Sequence, residues 1–223
     1  MITLSPPTLE IEPWQQELAA AITDVNELLS LLGLEEGDLV GGVSPAAARE
    51  FRLRVPRYFA GLMRRGDPDD PLLAQVLPRA AEDQLVEGYV KDPVADLAAA
   101  CAHGILQKYQ GRALMITTGA CAVHCRYCFR RHFPYAEQSV LPHWQAALQA
   151  LHELPDITEL ILSGGDPLCL ADSRLSRLVT AAAEIPHLRR LRIHTRLPVV
   201  LPARITRQLV QLLSHSRLQT VVV

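Results

Sequence analysis

The sequence predicts an α/β protein: a helical N-terminal region over residues 1–110, then repeated strand–helix units over 111–223. Three observations carry this. Apolar residues recur at helical spacing in the first region, and short β-rich runs alternate with helical stretches in the second. The loops after those runs hold clustered cysteines, a Gly-Gly-Asp turn and an HTRLP segment. In parallel α/β architectures the segments just after each strand are where ligands bind.

Taken in order, Pro13 to Leu34 reads as one surface helix stopped by Gly33, with Trp14, Leu18, Ile22, Val25, Leu28, Leu29 and Leu32 as its apolar stripe. Ser44 followed by Pro45 is an N-cap with proline at the first helical position, opening a short helix to about Phe51. A further helix is expected from Pro56 to Arg65, a turn over Gly66–Pro71, and a helix from Pro93 to Tyr109. Strands are then expected at Ala113–Thr118, Glu159–Ser163, Leu191–Thr195 and Gln219–Val223. Helices are expected between them near 142–154, 173–184 and 203–214. Such units imply a parallel sheet, open or closed into a barrel. The closing LQTVVV reads as the start of a buried strand, which leaves the expectation that the polypeptide is longer than 223 residues.

Hydrophobic residues make up 49% and charged residues 21%, the balance of a soluble globular protein. No apolar run reaches the roughly 20 residues of a membrane span, and the first residues lack the basic and apolar segments of a leader, so a cytoplasmic location is expected. A formal net charge of −2 argues against nucleic acid as a partner. Lys91 and Lys108 are the only lysines, and both read as solvated helix-face charges.

Three of the five cysteines fall within eight residues, as Cys121-x3-Cys125-x2-Cys128 directly after the first expected parallel strand. A disulfide framework does not suit that spacing without an export signal, so metal or redox chemistry is the first reading. Three soft ligands suit an iron–sulfur cluster with one open iron. They equally suit a zinc ion completed by His132, with His124 also near, and spacing alone leaves both open. Cys101 reads as a small hydrophobe inside an alanine-rich helix and Cys169 as a packing residue.

Ser163-Gly164-Gly165-Asp166 ends the second run. Its glycines allow a backbone to approach a ligand, and Asp166 can accept hydrogen bonds from an ammonium group or simply cap the next helix. His194 and Arg196 end the third run, where contact with a cofactor and a structural hydrogen bond are both open.

Tyr127 immediately before the third cysteine, the loop's place at the start of a parallel array, and the Gly-Gly-acid turn together resemble the radical S-adenosylmethionine superfamily. GACAVHCRYCFRRHFPY, LILSGGDPL, LRIHTRLPVVLPARIT and RVPRYFAGLMRRGDPDDPLLAQVLP resemble more closely the lysine 2,3-aminomutase family, and most of all its bacterial branch that makes (R)-β-lysine for elongation factor P. The resemblance runs from about residue 10 to the end.

It implies the first half of a partial (β/α)6 radical-SAM barrel and a [4Fe–4S] cluster on Cys121, Cys125 and Cys128. It implies S-adenosyl-L-methionine bound beside Tyr127 and Ser163, Gly164, Gly165 and Asp166. Pyridoxal 5′-phosphate is implied as a second cofactor, contacted by Arg112, and L-lysine as the substrate, its α-carboxylate received by Arg130. The implied reaction moves the α-amino group to the β-carbon, with a functional link to the enzyme that transfers the product to elongation factor P. Neither lysine of the chain matches the family's Schiff-base lysine. That residue is expected beyond Val223, and the chain by itself is expected to be inactive in isomerisation. Arg126 and Arg131 match no family role and read as surface charges. A related aminomutase with another amino acid, or a Cys3His zinc-stabilised binding domain, stands as the alternative.

Overall fold

The computed structural model describes residues 12–140 and 143–223. The first eleven residues, on which the reading of the chain's start rests, lie outside the described residues.

The core is a six-stranded sheet in the order β1-β2-β3-β4-β5-β6. β1 (Ala100–Ala102), β2 (Ile105–Tyr109) and β3 (Arg112–Thr118) are antiparallel, whereas β3, β4 (Glu159–Gly164), β5 (Arg190–Ile193) and β6 (Gln219–Val222) are parallel. Every residue of β4 is buried, as expected of a strand covered on both faces.

Before the sheet lie five short helices: α1 (Pro13–Ala19), α2 (Val25–Leu32), α3 (Pro45–Glu50), α4 (Arg57–Ala60) and α5 (Pro71–Ala74). Between the parallel strands come α6 (Tyr135–Gln138), α7 (Trp144–His152), α8 (Asp172–Ala183), α9 (Leu197–Val200) and α10 (Arg207–Ser214). α8 buries Leu175, Leu178, Val179 and Ala182, one stripe at helical spacing laid on the sheet. The parallel strands and the three crossover helices fall where the sequence places them.

Three expectations of the N-terminal region are corrected. The single helix from Pro13 to Leu34 is two. Asp24 accepts a hydrogen bond from the Glu27 amide and starts α2 afresh, while Ile22 between the helices exchanges backbone bonds with Val55. Gly33 does stop α2, with φ +68°. The helix expected from Pro56 to Arg65 is the single turn α4.

The helix expected from Pro93 to Tyr109 is a 3-10 turn at Leu97–Ala99 followed by β1 and β2. The physical reason is turn chemistry. Tyr109 pairs with Arg112, so Gln110-Gly111 forms a two-residue hairpin loop, and Gly111 takes φ +78°. Gly104 turns β1 into β2 at φ +68°, and a Cβ there would lie 2.3 Å from Val140 Cγ1. Cys101, expected inside a helix, is exposed on β1, and Lys108 lies on β2.

The N-terminal helices pack onto the sheet layer. Trp14 of α1 is buried under the guanidinium of Arg204, 4.4 Å from its ring centre. Arg204 is itself fully buried, bonded to the carbonyls of Leu168 and Leu170 and paired with Asp172 at 2.6 Å.

Candidate active site

The cysteine loop leaves the carboxyl end of β3 and proceeds by overlapping turns: Cys128 N–H donates to the Cys125 carbonyl, and Arg131 N–H to that of Cys128. The loop has no regular structure of its own, so outside contacts must hold it. His124 N–H bonds the Arg54 carbonyl, His124 Nδ1 lies 2.8 Å from the Arg52 carbonyl, and Arg126 N–H donates to the Gln75 carbonyl. Cys121, Cys125 and Cys128 are free thiols, partly buried, and close enough to influence one another's ionisation. Burial, then the charges of Asp166, Cys128 and Cys125, push the Cys121 thiol up to about 12. A buried thiol of this kind becomes a thiolate as positive charge arrives, as at a metal site.

Among the described residues no three His, Cys, Asp or Glu side chains converge tightly enough for a single metal ion. A cubane cluster places its cysteines on separate irons, and three thiols gathered on one loop are the donor set such a cluster needs. His132, the fourth ligand of the zinc alternative, turns instead to Glu50, with Nδ1 3.4 Å from Oε1.

The glycine turn abuts this loop. Gly165 N–H donates to the Thr118 carbonyl and Asp166 N–H to that of Ala120. A Cβ on Gly165 would lie 2.3 Å from the Ala120 oxygen, and one on Gly164, where φ is +121°, 2.6 Å from the Thr118 oxygen. The glycines are therefore required for contact between two loops. Gly165→Ala is expected to displace the start of the cysteine loop and lower cluster occupancy. Iron content of purified variant and wild type checks this.

Asp166 is buried and caps the 3-10 turn Pro167–Cys169 through the Leu168 amide. It also accepts from Thr195 Oγ1 at 2.7 Å and the Arg196 amide at 2.8 Å, so it ties the ends of β4 and β5 together. Burial raises its carboxyl above the usual range despite these bonds. The Leu197 amide also faces this carboxylate, so several protein donors gather on it at the meeting of the two loops.

Arg196 reaches back over the cysteine loop. Its Nη1 lies 2.6 Å from Cys125 Sγ and 2.7 Å from the Tyr127 hydroxyl, and Nη2 donates to Gln75 Oε1 at 2.8 Å. Tyr127 is otherwise 64% exposed, a ring free to lie against a ligand.

Next to the loop a cavity of about 510 Å³ opens on the sheet face. Arg112 and Leu114 of β3, Ile161 of β4, and Arg192 and His194 at β5 line it at alternate positions. Arg130, Phe129, Asp96 and Lys108 close its other side. Arg130 is buried. Its Nε donates to Asp96 Oδ2 at 2.6 Å and its Nη1 to Ser163 Oγ at 3.0 Å, so two donors are fixed and Nη2 has no protein partner among the described residues. Lys108 Nζ pairs with the other oxygen of Asp96 at 2.5 Å. Arg112 lies 3.7 Å from the buried Glu159, which Arg192 also approaches at 2.6 Å. Burial, then the charges of Arg192 and Arg130, push the ionisation of His194 below the ordinary imidazole range. Four cations against two carboxylates make a cavity suited to anionic groups.

The structure thus brings together Cys121, Cys125, Cys128, Tyr127, Ser163, Gly164, Gly165, Asp166 and Arg196 at one place, and Arg112, Arg130 and His194 at the adjoining cavity. Three readings are corrected. Arg126 is 9% exposed and Arg131 is largely covered; both grip Glu82 and are not surface charges. Lys108 is a cavity residue paired with Asp96 and not a helix-face charge. Asp96, Arg192 and Glu82 escaped the sequence reading, since each acts through partners distant in the chain.

Three free thiols and a glycine turn at the carboxyl ends of parallel strands define an α/β protein of the iron–sulfur class. A family model described as a 4Fe-4S single cluster domain matches residues 110–189. Proteins named L-lysine 2,3-aminomutase match from Escherichia coli (47% identity, all of this chain, 64% of the relative) and Haemophilus influenzae (46%, 96% and 63%). Another of that name, from Clostridium subterminale, is 30% identical over 90% of this chain and 48% of its own length. The chain is similar to these L-lysine 2,3-aminomutases over nine-tenths or more of its own length, and it spans 64% and 63% of the first two relatives and 48% of the third. No helix among the described residues is long and apolar enough to cross a membrane.

Proposed function

We propose that the protein is a cytoplasmic radical S-adenosylmethionine isomerase that converts L-lysine to (R)-β-lysine for modification of elongation factor P. One observation carries this reading. Three free thiols, the glycine turn and a cationic cavity meet at one end of a parallel sheet, in a chain 47% identical to a protein named L-lysine 2,3-aminomutase.

Cys121, Cys125 and Cys128 hold a [4Fe–4S] cluster in this reading. S-adenosylmethionine lies beside Tyr127, the Ser163–Asp166 turn, His194 and Arg196, where the negative charge of Asp166 suits an ammonium group. Arg112 and its neighbour Arg192 suit the phosphate of pyridoxal 5′-phosphate. When bound, the reduced cluster supplies the electron that opens a carbon–sulfur bond of S-adenosylmethionine, and pyridoxal phosphate supplies an electron sink for the migrating nitrogen. The chain's own residues bind and orient. Arg130 offers Nη2 toward the cavity as a donor for the substrate α-carboxylate, while Asp96 and Ser163 fix its plane.

The experiment is anaerobic incubation of reduced, cluster-loaded protein with S-adenosylmethionine, measuring 5′-deoxyadenosine. Its formation supports the reading, and intact S-adenosylmethionine beside a fully loaded, reduced cluster overturns it. In the full-length protein supplied with pyridoxal phosphate and L-lysine, β-lysine is the expected product. A different β-amino acid formed faster from its own precursor would overturn the substrate assignment.

Arg130→Lys is expected to keep the charge but lose the fork held by Asp96 and Ser163. The Michaelis constant for lysine rises while cleavage of S-adenosylmethionine without substrate is unchanged. Equal loss of both would place Arg130 in the fold and not at the substrate.

A further inference from the structure

We propose that Glu82 is a positioning residue for the cluster: one carboxylate, held by two arginines of the cysteine loop, sets where Cys125 and Cys128 stand. The inference rests on the reading that these cysteines hold a cluster.

The loop must present three thiolates to one cluster without helical or strand bonds of its own, so its geometry has to be imposed from outside. Arg126 lies one residue after Cys125, and Arg131 three residues after Cys128. Arg126 Nε donates to Glu82 Oε1 at 2.9 Å, and its Nη2 meets Oε2 at 2.5 Å, a two-pronged grip. The same guanidinium reaches the carbonyls of Phe51 and Ala47. Arg131 Nη1 donates to Glu82 Oε2 at 2.7 Å, so Glu82 joins loop residues on both sides of Cys128. Both guanidiniums lie over the Phe51 ring, 5.3 and 5.4 Å from its centre.

The other side of the grip is rigid. Glu82 sits in the 3-10 turn Ala80–Asp83, whose Asp83 accepts from Ser44 Oγ, and Ser44 caps α3. The side chains of Arg126, Arg131 and Glu82 are only 6%, 15% and 18% exposed, so water cannot replace a lost partner cheaply. Burial tends to raise the Glu82 carboxyl, but the bonds from Arg126 and Arg131 outweigh it and hold the group ionised. Outer contacts of this kind, which orient ligands without touching the metal, commonly alter metal retention by about 10- to 100-fold when removed.

The test compares cluster loss to a ferrous-iron chelator in reconstituted wild type, Glu82→Gln, Glu82→Asp and Asp172→Asn. Asp172→Asn breaks a comparably buried pair, with Arg204, that does not touch the cysteine loop. Glu82→Gln is expected to lose iron at least about tenfold faster and to change the electron paramagnetic resonance spectrum of the reduced cluster. Glu82→Asp is expected to recover part of the retention, and Asp172→Asn to lower the melting temperature while keeping the wild-type rate and spectrum. Wild-type retention in Glu82→Gln, or equal acceleration in Asp172→Asn, would overturn the positioning role. A Glu82→Gln chain too unstable to reconstitute leaves the decision to Glu82→Asp: faster loss with an altered spectrum supports the role, and wild-type behaviour overturns it. Wild-type protein that takes up no cluster at all would overturn the cluster reading and this one with it.

Discussion

Cys125→Ala is expected to reduce iron and sulfide in anaerobically reconstituted protein to background. Three protein thiolates are the minimum on which a site with one open iron can rest, and Cys125 is the middle one of the spacing. Its thiol is already held within the site by Arg196, whereas Cys101 is exposed on β1, outside the cysteine loop. Cys101→Ala and Cys169→Ala should therefore keep the cluster. Cys169 is the informative control, because it follows the Gly-Gly-Asp turn and its thiol is pushed up by burial and then by Asp166 and Cys121. A cluster kept in Cys125→Ala and lost in Cys169→Ala would reassign the ligands.

Asp96→Asn is expected to destabilise the fold by about 3 kcal/mol, the low end for removing one partner of a buried ion pair. Asp96 is 2% exposed and carries both Arg130 at 2.6 Å and Lys108 at 2.5 Å. The amide cannot balance either cation. Lys108, with a side chain 27% exposed, can turn to water, but Arg130 at 9% cannot, which puts most of the loss on Arg130.

The pH dependence follows from the same group. Burial tends to raise the Asp96 carboxyl, yet the bonds from Arg130 and Lys108 bring it below its ordinary 3.8. A carboxylate with a lowered folded value contributes stability that is fully present above the unfolded value and is lost as pH falls below it. Urea unfolding should therefore show a shallower loss of stability below pH 3.8 in Asp96→Asn than in wild type. Parallel acid limbs would mean that Asp96 does not carry this charge balance.

The legible parts of the sequence were those governed by local pattern. β4, α7, α8 and α10 follow from apolar periodicity within each segment, and the cap at Ser44 and the stop at Gly33 follow from turn chemistry a few residues long. The three clustered cysteines and the glycine turn stood out by their spacing after expected strands, although spacing alone left an iron–sulfur cluster and zinc both open. The stretch from Pro93 to Tyr109 was misread because its alanines favour a helix, although Gln110-Gly111 between two alternating runs is a hairpin signal that outweighs them. Glu82 and Asp96 had no local signature. Each is an ordinary acid whose arginine partners lie 34 to 49 residues away, and only the closed fold brings an arginine to it. Arg126 and Arg131 were misjudged for the same reason.

The most direct measurement is metal and sulfide analysis of protein reconstituted anaerobically, read together with electron paramagnetic resonance of the reduced state before and after S-adenosylmethionine is added. The expected result is about four irons and four sulfides per chain, with a spectrum that changes when S-adenosylmethionine binds the open iron. One zinc per chain, no sulfide and a colourless protein would contradict it.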